Sequence, residues 1–321
     1  MKTANITVLD GYTLNPGDLN WDSLKAIGNC KIFDRTPIDQ IVERSVNSEI
    51  ILTNKTPLDK ATIQKLPNLK YIGVLATGYN VIDIHAAKEK NIPVCNVPGY
   101  SGMSVAQAVF SLLLEVTNHV GQHSEEVRQG KWSSAPDFCF TSTPLIELAD
   151  LTMGVVGYGN IAQSTIKIAQ ALGMKILVHT RTIPKEKVEG VSFVSTDELF
   201  KKSDVISLHC PLTDQTKHMI NKTSLAMMKK SAILINTGRG PLVDEDALAL
   251  ALNESRIFGA GLDVLSQEPP QANNPLLSAK NCVITPHNAW ASKAARQRLM
   301  NMAIENLKAF LNNKTINRVN F

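Results

Sequence analysis

Short runs rich in Val and Ile alternate with helical patterns along nearly the whole chain. That rhythm is the strongest constraint in the sequence. Apolar strands joined through helices argue for parallel pairing, because a parallel pair needs a crossover and a tight hairpin cannot supply one. The early runs are Ile6–Leu9, Lys31–Phe33, Glu49–Leu52, Tyr71–Leu75 and Ile92–Val97. A second series follows at Met153–Gly157, Lys175–His179, Asp204–His209, Ala232–Thr237, Gly259–Val264 and Cys282–Pro286. The fold class read from this pattern is α/β with parallel sheets. At 321 residues the chain exceeds what one core usually covers, so two domains are expected.

Between the two series the spacing predicts one helix from about Ser101 to Arg128. Val105, Val109, Leu112, Leu113, Val116 and Val120 form its apolar stripe. Gly130 ends it, and Pro136 and Pro144 mark an irregular connection. Ala291 to Phe310 reads as a final helix. Near the end of the first series Asn80 is placed to cap a helix from Val81, with Asp83 in its first turn.

Charge and composition exclude several functions. Lys plus Arg is 33 against 29 for Asp plus Glu, and the net +4 is scattered, so no nucleic-acid footprint is present. No apolar run approaches membrane length, and "MKTANITVLD" is too short and polar for a signal peptide. Cys30, Cys95, Cys139, Cys210 and Cys282 are an odd count without a C-x-x-C pair, and read as buried free thiols in a reducing, cytoplasmic setting. On that reading the acceptor triplet Asn54-Lys55-Thr56 carries no glycan. His119 and His123 at i, i+4 with Glu126 nearby are the one metal-like spacing. No third His or Cys is evident near them, so no metal is expected.

"VVGYGNIAQSTIKIAQALG" sets Gly157, Gly159 and Ala162 in a G-x-G-x-x-A pattern between an apolar strand and a helix. The first glycine makes the turn, the second lets backbone approach a pyrophosphate, and the small third residue lets the helix pack on the strand. Tyr158, Asn160 and Ile161 complete this phosphate loop, and the helix N-terminus offers free amides and positive potential. The next strand ends at His179-Thr180-Arg181, about 20 residues on, where an acid would hold the ribose of NAD. Without that acid the extra phosphate of NADP is not repelled. Arg181 can attract it by about 1.5–3 kcal/mol through a well-formed charged hydrogen bond, or by about 0–1 kcal/mol if exposed. NADP is therefore permitted and possible as the preferred cofactor.

Three polar residues stand at the ends of late strands: Arg239, Glu268 and His287. An arginine fork suits a carboxylate or a polarised carbonyl, histidine exchanges a proton near neutral pH, and a carboxylate beside it stabilises the imidazolium. Singly, each also reads as a surface charge, a loop acid or a strand-end cap.

"VVGYGNIA", "LINTGRGPLVDEDAL", "GAGLDVLSQEPP" and "ITPHNAW" together resemble the D-isomer-specific 2-hydroxyacid dehydrogenases, over essentially the whole chain. The resemblance implies a Rossmann dinucleotide domain (residues 99–289) inserted into a flavodoxin-like substrate domain (residues 1–98 plus 290–321). It implies that Arg239 binds substrate, His287 is the general acid/base and Glu268 is its paired acid. Asp263 would hold the nicotinamide carboxamide, with Cys210, Pro211, Thr216, Thr237 and Gly238 lining the cofactor. "LATGYNVID" resembles the substrate loop, so amides at Ala76, Thr77 and Gly78 would bind the substrate carboxylate. "PHNAWAS", with Trp290 beside the substrate, and "AARQRL" are most similar to the hydroxypyruvate-reducing, glycerate dehydrogenase branch, with glyoxylate a secondary substrate. The resemblance further implies a homodimer formed through the helix from Ser101. Its rivals are a cofactor-sensing binding module or corepressor on the same fold, and a dehydrogenase for another small D-2-hydroxy acid.

Overall fold

The computed structural model of the chain describes residues 4–321. Met1–Thr3, assigned from the sequence to the first domain, lie outside the described residues. The chain divides into two compact units, one running up to Ser101 and resuming at Ala291–Phe321, the other spanning Gly102–Trp290.

In the first unit β1 (Ala4–Val8), β2 (Gly28–Ile32), β3 (Ile50–Thr53), β4 (Tyr71–Val74) and β5 (Val94–Cys95) form one sheet in the order β2-β1-β3-β4-β5. Every pairing is parallel. This is the order of flavodoxin-like sheets. Helices α1 (Asp22–Lys25), α2 (Ile41–Ser45), α3 (Lys60–Gln64) and α4 (Ile84–Glu89) connect the strands, and α11 (Lys293–Leu311) completes the unit. β3 and β4 are buried along their full length, which a parallel sheet covered on both faces requires. Ile51, Ile63, Leu66, Ile72 and Val94 make the core.

The second unit begins with α5 (Gly102–Asn118) and α6 (Val120–Arg128). The sheet strands are β6 (Thr152–Val156), β7 (Lys175–His179), β8 (Val191–Phe193), β9 (Val205–Leu208), β10 (Ile233–Asn236), β11 (Gly259–Leu262) and β12 (Cys282–Ile284). Interleaved with them are α7 (Asn160–Ala171), α8 (Thr196–Lys202), α9 (Lys222–Met227) and α10 (Glu245–Asn253). The order β12-β11-β10-β9-β6-β7-β8, all parallel, is the doubly wound arrangement, with its reversal of direction at β6 and β9. Apolar clusters cover both faces.

Three expectations are corrected. The helix from Ser101 is not continuous: His119 adopts a left-handed backbone (φ 47°), and the Glu115 carboxylate accepts the Gly121 N–H at 3.2 Å beyond the break. The stripe therefore ends at Val116, and Val120 is exposed. Asp83, not Asn80, caps α4, accepting the Ala86 N–H at 2.9 Å. Of the cysteines, all free, only Cys95 is fully buried and Cys139 is exposed. β8 was not anticipated, being a three-residue edge strand with two half-buried residues about an exposed serine.

Beyond α6 the chain is tied back by Glu126. Its carboxylate accepts the Ser142 hydroxyl, the Gln122 amide at 2.9 Å and the Lys131 ammonium at 3.1 Å. The Ser142 bond first, then Gln122, hold its carboxyl down at about 2, against an ordinary 4.5. A depressed carboxylate stabilises the fold fully above pH 4.5 and loses that contribution as pH falls towards about 2. The Tm deficit of Glu126→Gln should accordingly be full above pH 4.5 and shrink across that window; a deficit independent of pH would contradict this.

Candidate active site

β6 runs into Gly157, whose φ of 98° belongs to glycine. Its N–H donates to the His179 carbonyl at 2.7 Å, and a Cβ there would lie 2.8 Å from the His209 carbonyl carbon. The loop is thus wedged between the ends of β7 and β9, where the strand order reverses. His209 is neutral: burial lowers its imidazole to about 4, and its Nε2 lies 2.8 Å from the Ser207 hydroxyl. Tyr158 packs edge-on against Phe193. Asn160 and Ile161 open α7, and Ala162 is fully buried against the sheet.

Gly159 stands at the N-cap of α7, and no side chain caps the helix. Its φ is −83°, and a Cβ there would meet nothing within 4 Å. The protein's own packing gives no reason for glycine here, whereas a diphosphate approaching the free amides does. Thr237 Oγ1, at the end of β10, is buried without a hydrogen-bond partner among the described residues. Both features fit a dinucleotide. At the tip of β7, His179 Nδ1 lies 3.2 Å from the Val194 carbonyl and the Thr180 hydroxyl donates weakly to Thr182 at 3.4 Å. Arg181 is exposed and forms no ion pair among the described residues. After β9, the Thr216 hydroxyl donates to the Pro211 carbonyl at 2.7 Å and closes that loop. Burial pushes the Cys210 thiol up to about 11, so it stays protonated as an apolar wall.

Arg239, Glu268 and His287 follow β10, β11 and β12, and the structure joins the last two of them. Asn236, fully buried, accepts the Gly238 N–H at 3.0 Å and donates to the Arg239 carbonyl at 2.9 Å, fixing the Thr237–Arg239 turn. The Arg239 guanidinium is exposed and, among the described residues, donates only to the Gly238 carbonyl, at 2.8 Å. Gly240 lies against the next loop so closely that a Cβ would come within 2.0 Å of the Leu265 carbonyl carbon. The Leu265 N–H in turn donates to Glu268 Oε1 at 3.2 Å, and Glu268 Oε2 lies 2.6 Å from His287 Nδ1. A carboxylate only accepts, so Nδ1 carries the proton and Nε2 is left for a ligand. His287 has a left-handed backbone (φ 50°), a costly conformation for a non-glycine residue.

Asp263 holds that turn. Its carbonyl accepts the His287 N–H at 2.8 Å. Its buried carboxylate accepts the Thr285 hydroxyl at 2.7 Å and the N–H groups of Asn288 and Ala289 at 2.9 and 3.0 Å. The Trp290 indole closes the turn from the far side, donating to the His287 carbonyl at 2.9 Å.

In the first unit, the Leu75, Ala76 and Thr77 carbonyls of the loop after β4 are satisfied. Asn54 Nδ2 donates to Leu75, the Val97 N–H to Ala76 and Asn96 Nδ2 to Thr77. The N–H groups of Ala76, Thr77 and Gly78 donate to no acceptor among the described residues. Consecutive free amides of this kind bind anions. The loop's footing was missed in the sequence: Asp10 accepts the N–H groups of Asn54, Lys55 and Thr56 at 2.6–2.7 Å and so fixes the Asn54 turn. Asn236 and Thr285 were missed too; a polar residue closing an apolar strand is the signal that would have found them. His119 lies outside the helix that carries His123, so their i, i+4 spacing makes no metal face, and no group of three candidate ligands exists among the described residues.

A glycine loop and free helix end at the switch point of a parallel sheet, with an imidazole–carboxylate pair nearby, define a nicotinamide-dependent oxidoreductase. Residues 110–289 match the model of the D-isomer specific 2-hydroxyacid dehydrogenase, NAD binding domain. A hydroxypyruvate reductase of Blautia hydrogenotrophica is 50% identical over 319 residues, covering 98% of this chain and 99% of its own. The chain belongs to the D-isomer-specific 2-hydroxyacid dehydrogenase family. A glycerate dehydrogenase of Methylorubrum extorquens is 42% identical over 88% of each chain. A solved acyclic imino acid reductase (Bsp5), in complex with NADPH and D-Arg, is 35% identical, with a TM-score of 0.84 over 98% of this chain and 99% of that one. No helix among the described residues is long and apolar enough to cross a membrane.

Gly159 offers a clean test of the cofactor site. Gly159→Ala should cost the apo fold at most about 1 kcal/mol, as a helix-cap change does, yet weaken nicotinamide dinucleotide binding at least tenfold in a fluorescence titration. Unchanged affinity would remove the glycine's assigned purpose.

Proposed function

We propose that the chain reduces hydroxypyruvate to D-glycerate, with glyoxylate as a secondary substrate. The observation that carries the proposal is the Glu268–His287 contact of 2.6 Å on a turn that leaves Nε2 free. The relative's name, at 50% identity across both full lengths, supports the choice of keto acid. A bound reduced nicotinamide supplies the hydride. His287 Nε2 gives a proton to the keto oxygen, and Glu268 stabilises the imidazolium that does so. Arg239 binds the keto acid and stabilises charge developing on that oxygen. The free amides at Ala76, Thr77 and Gly78 take the carboxylate, so the first unit is the substrate unit. Gly157, Gly159 and the α7 amides take the diphosphate; Tyr158, Asn160, Ile161, Cys210, Pro211, Thr216 and Thr237 line the cofactor. The satisfied oxygens of Asp263 favour a part in holding the His287 turn alongside any contact with the carboxamide. Trp290 walls the substrate with its ring, its N–H being spent on His287.

NADP is accepted because no acid occupies Thr180-Arg181. Exposed apolar side chains on and after α6, among them Val120, Val127, Trp132 and Phe138, support a homodimer.

Turnover with hydroxypyruvate should fall about 10²–10⁴-fold in His287→Ala, while Arg239→Ala chiefly loses use of the keto acid. Near-normal kinetics in both would end the assignment. Arg181→Ser should lower kcat/KM for NADPH relative to NADH by roughly two- to fivefold, the scale of one exposed charge. A wild-type enzyme that strongly favours NADH would refute the cofactor reading.

A further inference from the structure

Glu268 belongs to a stretch, Asp263–Asn274, without a regular helix or strand. Its side chain is 38% exposed and that of His287 29%, so burial alone does not hold the carboxylate in place. Something must fix the backbone that carries it.

Glu245 is that contact. It opens α10, where a first-turn acid is ordinarily explained by the helix dipole. Here Asp244 already caps the helix, accepting the Ala247 N–H at 3.1 Å. Both Glu245 oxygens instead reach the Glu268 stretch. Oε1 accepts the Ser266 N–H at 2.6 Å, and Oε2 accepts the Asn274 amide at 2.7 Å. The two anchors bracket Glu268. Asn274 is itself fixed, since its other atom accepts the Leu276 N–H at 3.0 Å.

A continuous path follows. Ser266 is pinned by Glu245, Leu265 is pressed against Gly240, the Leu265 N–H holds Glu268 Oε1, and Glu268 Oε2 holds His287 Nδ1. Glu245 lies six residues after Arg239 on the same connection. One carboxylate thereby ties the arginine's segment to the segment of the paired acid. We propose that Glu245 is a positioning residue, which sets the Glu268–His287 contact without touching substrate or cofactor. The inference rests on the catalytic reading of Glu268 given above.

The test is a double-mutant cycle on the full chain, read as kcat for hydroxypyruvate reduction with the Kd for NADH measured separately. Glu245→Ala should lower kcat roughly ten- to hundredfold, the range produced by a misplaced reacting group, with Kd for NADH within about twofold of wild type. Glu245→Gln, whose carbonyl can still accept the Ser266 N–H, should recover most of the loss. In a Glu268→Gln background, Glu245→Ala should add little, because both act on one contact. Asn274→Ala removes one anchor while leaving Glu245 in place, and should give a smaller loss of the same kind should Glu245→Ala not fold. If Glu268→Gln lowers kcat but the Glu245 and Asn274 variants do not, or their losses multiply fully with it, this inference alone is overturned. If Glu268→Gln leaves kcat unchanged, the catalytic reading itself fails and carries this inference down with it.

Discussion

The buried carboxylate of Asp263, 1% exposed, is the interaction on which the site depends. A carboxylate taken out of water is costly unless its lone pairs are met, and here three donors meet them. All three lie in Thr285–Ala289, so satisfying Asp263 and bending the chain at His287 are one event. The left-handed backbone at His287, a strain of about 1–3 kcal/mol by itself, is held by hydrogen bonds that the buried acid needs in any case. Removing the acid's partners would release the imidazole from the end of β12 and leave the Glu268 contact with nothing to meet.

The sheet determines where such turns can be used. With every strand of the second unit parallel, all carboxyl ends emerge on one edge, so the Gly157 loop, the Thr237–Arg239 turn, Glu268 and His287 share that edge. The strand order reverses between β6 and β9, and Gly157 fits there because its missing Cβ lets it lie against His209. At the start of α7 the structure offers bare amides, a helix end and the space a glycine leaves open. In the first unit the Ala76 and Thr77 carbonyls are likewise tied down while the amides of Ala76–Gly78 donate to no acceptor among the described residues.

Much of this was legible in the residues. Period and length marked most strands to within a few positions, because fully buried parallel strands are short unbroken apolar runs. Lys175–His179 coincides with β7, while β8, a three-residue edge strand with an exposed centre, has too little apolar pattern to register. The break at His119 was invisible because its cause is a backbone conformation supported by Glu115, and helical spacing continues through it on paper. Motif and chemistry singled out Arg239, Glu268 and His287, of which the last two are in contact. The supporting residues Asn236 and Thr285, and Asp10 under the Asn54 turn of the first unit, were not, because a residue whose work is to accept or donate to backbone elsewhere leaves no periodic signal. Asp83 taught the same lesson in reverse: two capping residues lay within one turn, and only the geometry chose between them.

The most direct measurement is a crystal structure of the chain with NADH and oxamate, an unreactive analogue of a small keto acid. The account predicts His287 Nε2 within about 2.6–3.2 Å of the oxamate carbonyl oxygen, Nδ1 still on Glu268, and the Arg239 guanidinium on the same ligand. Oxamate seated away from Nε2, or an imidazole turned out of the site with the cofactor bound, would contradict it.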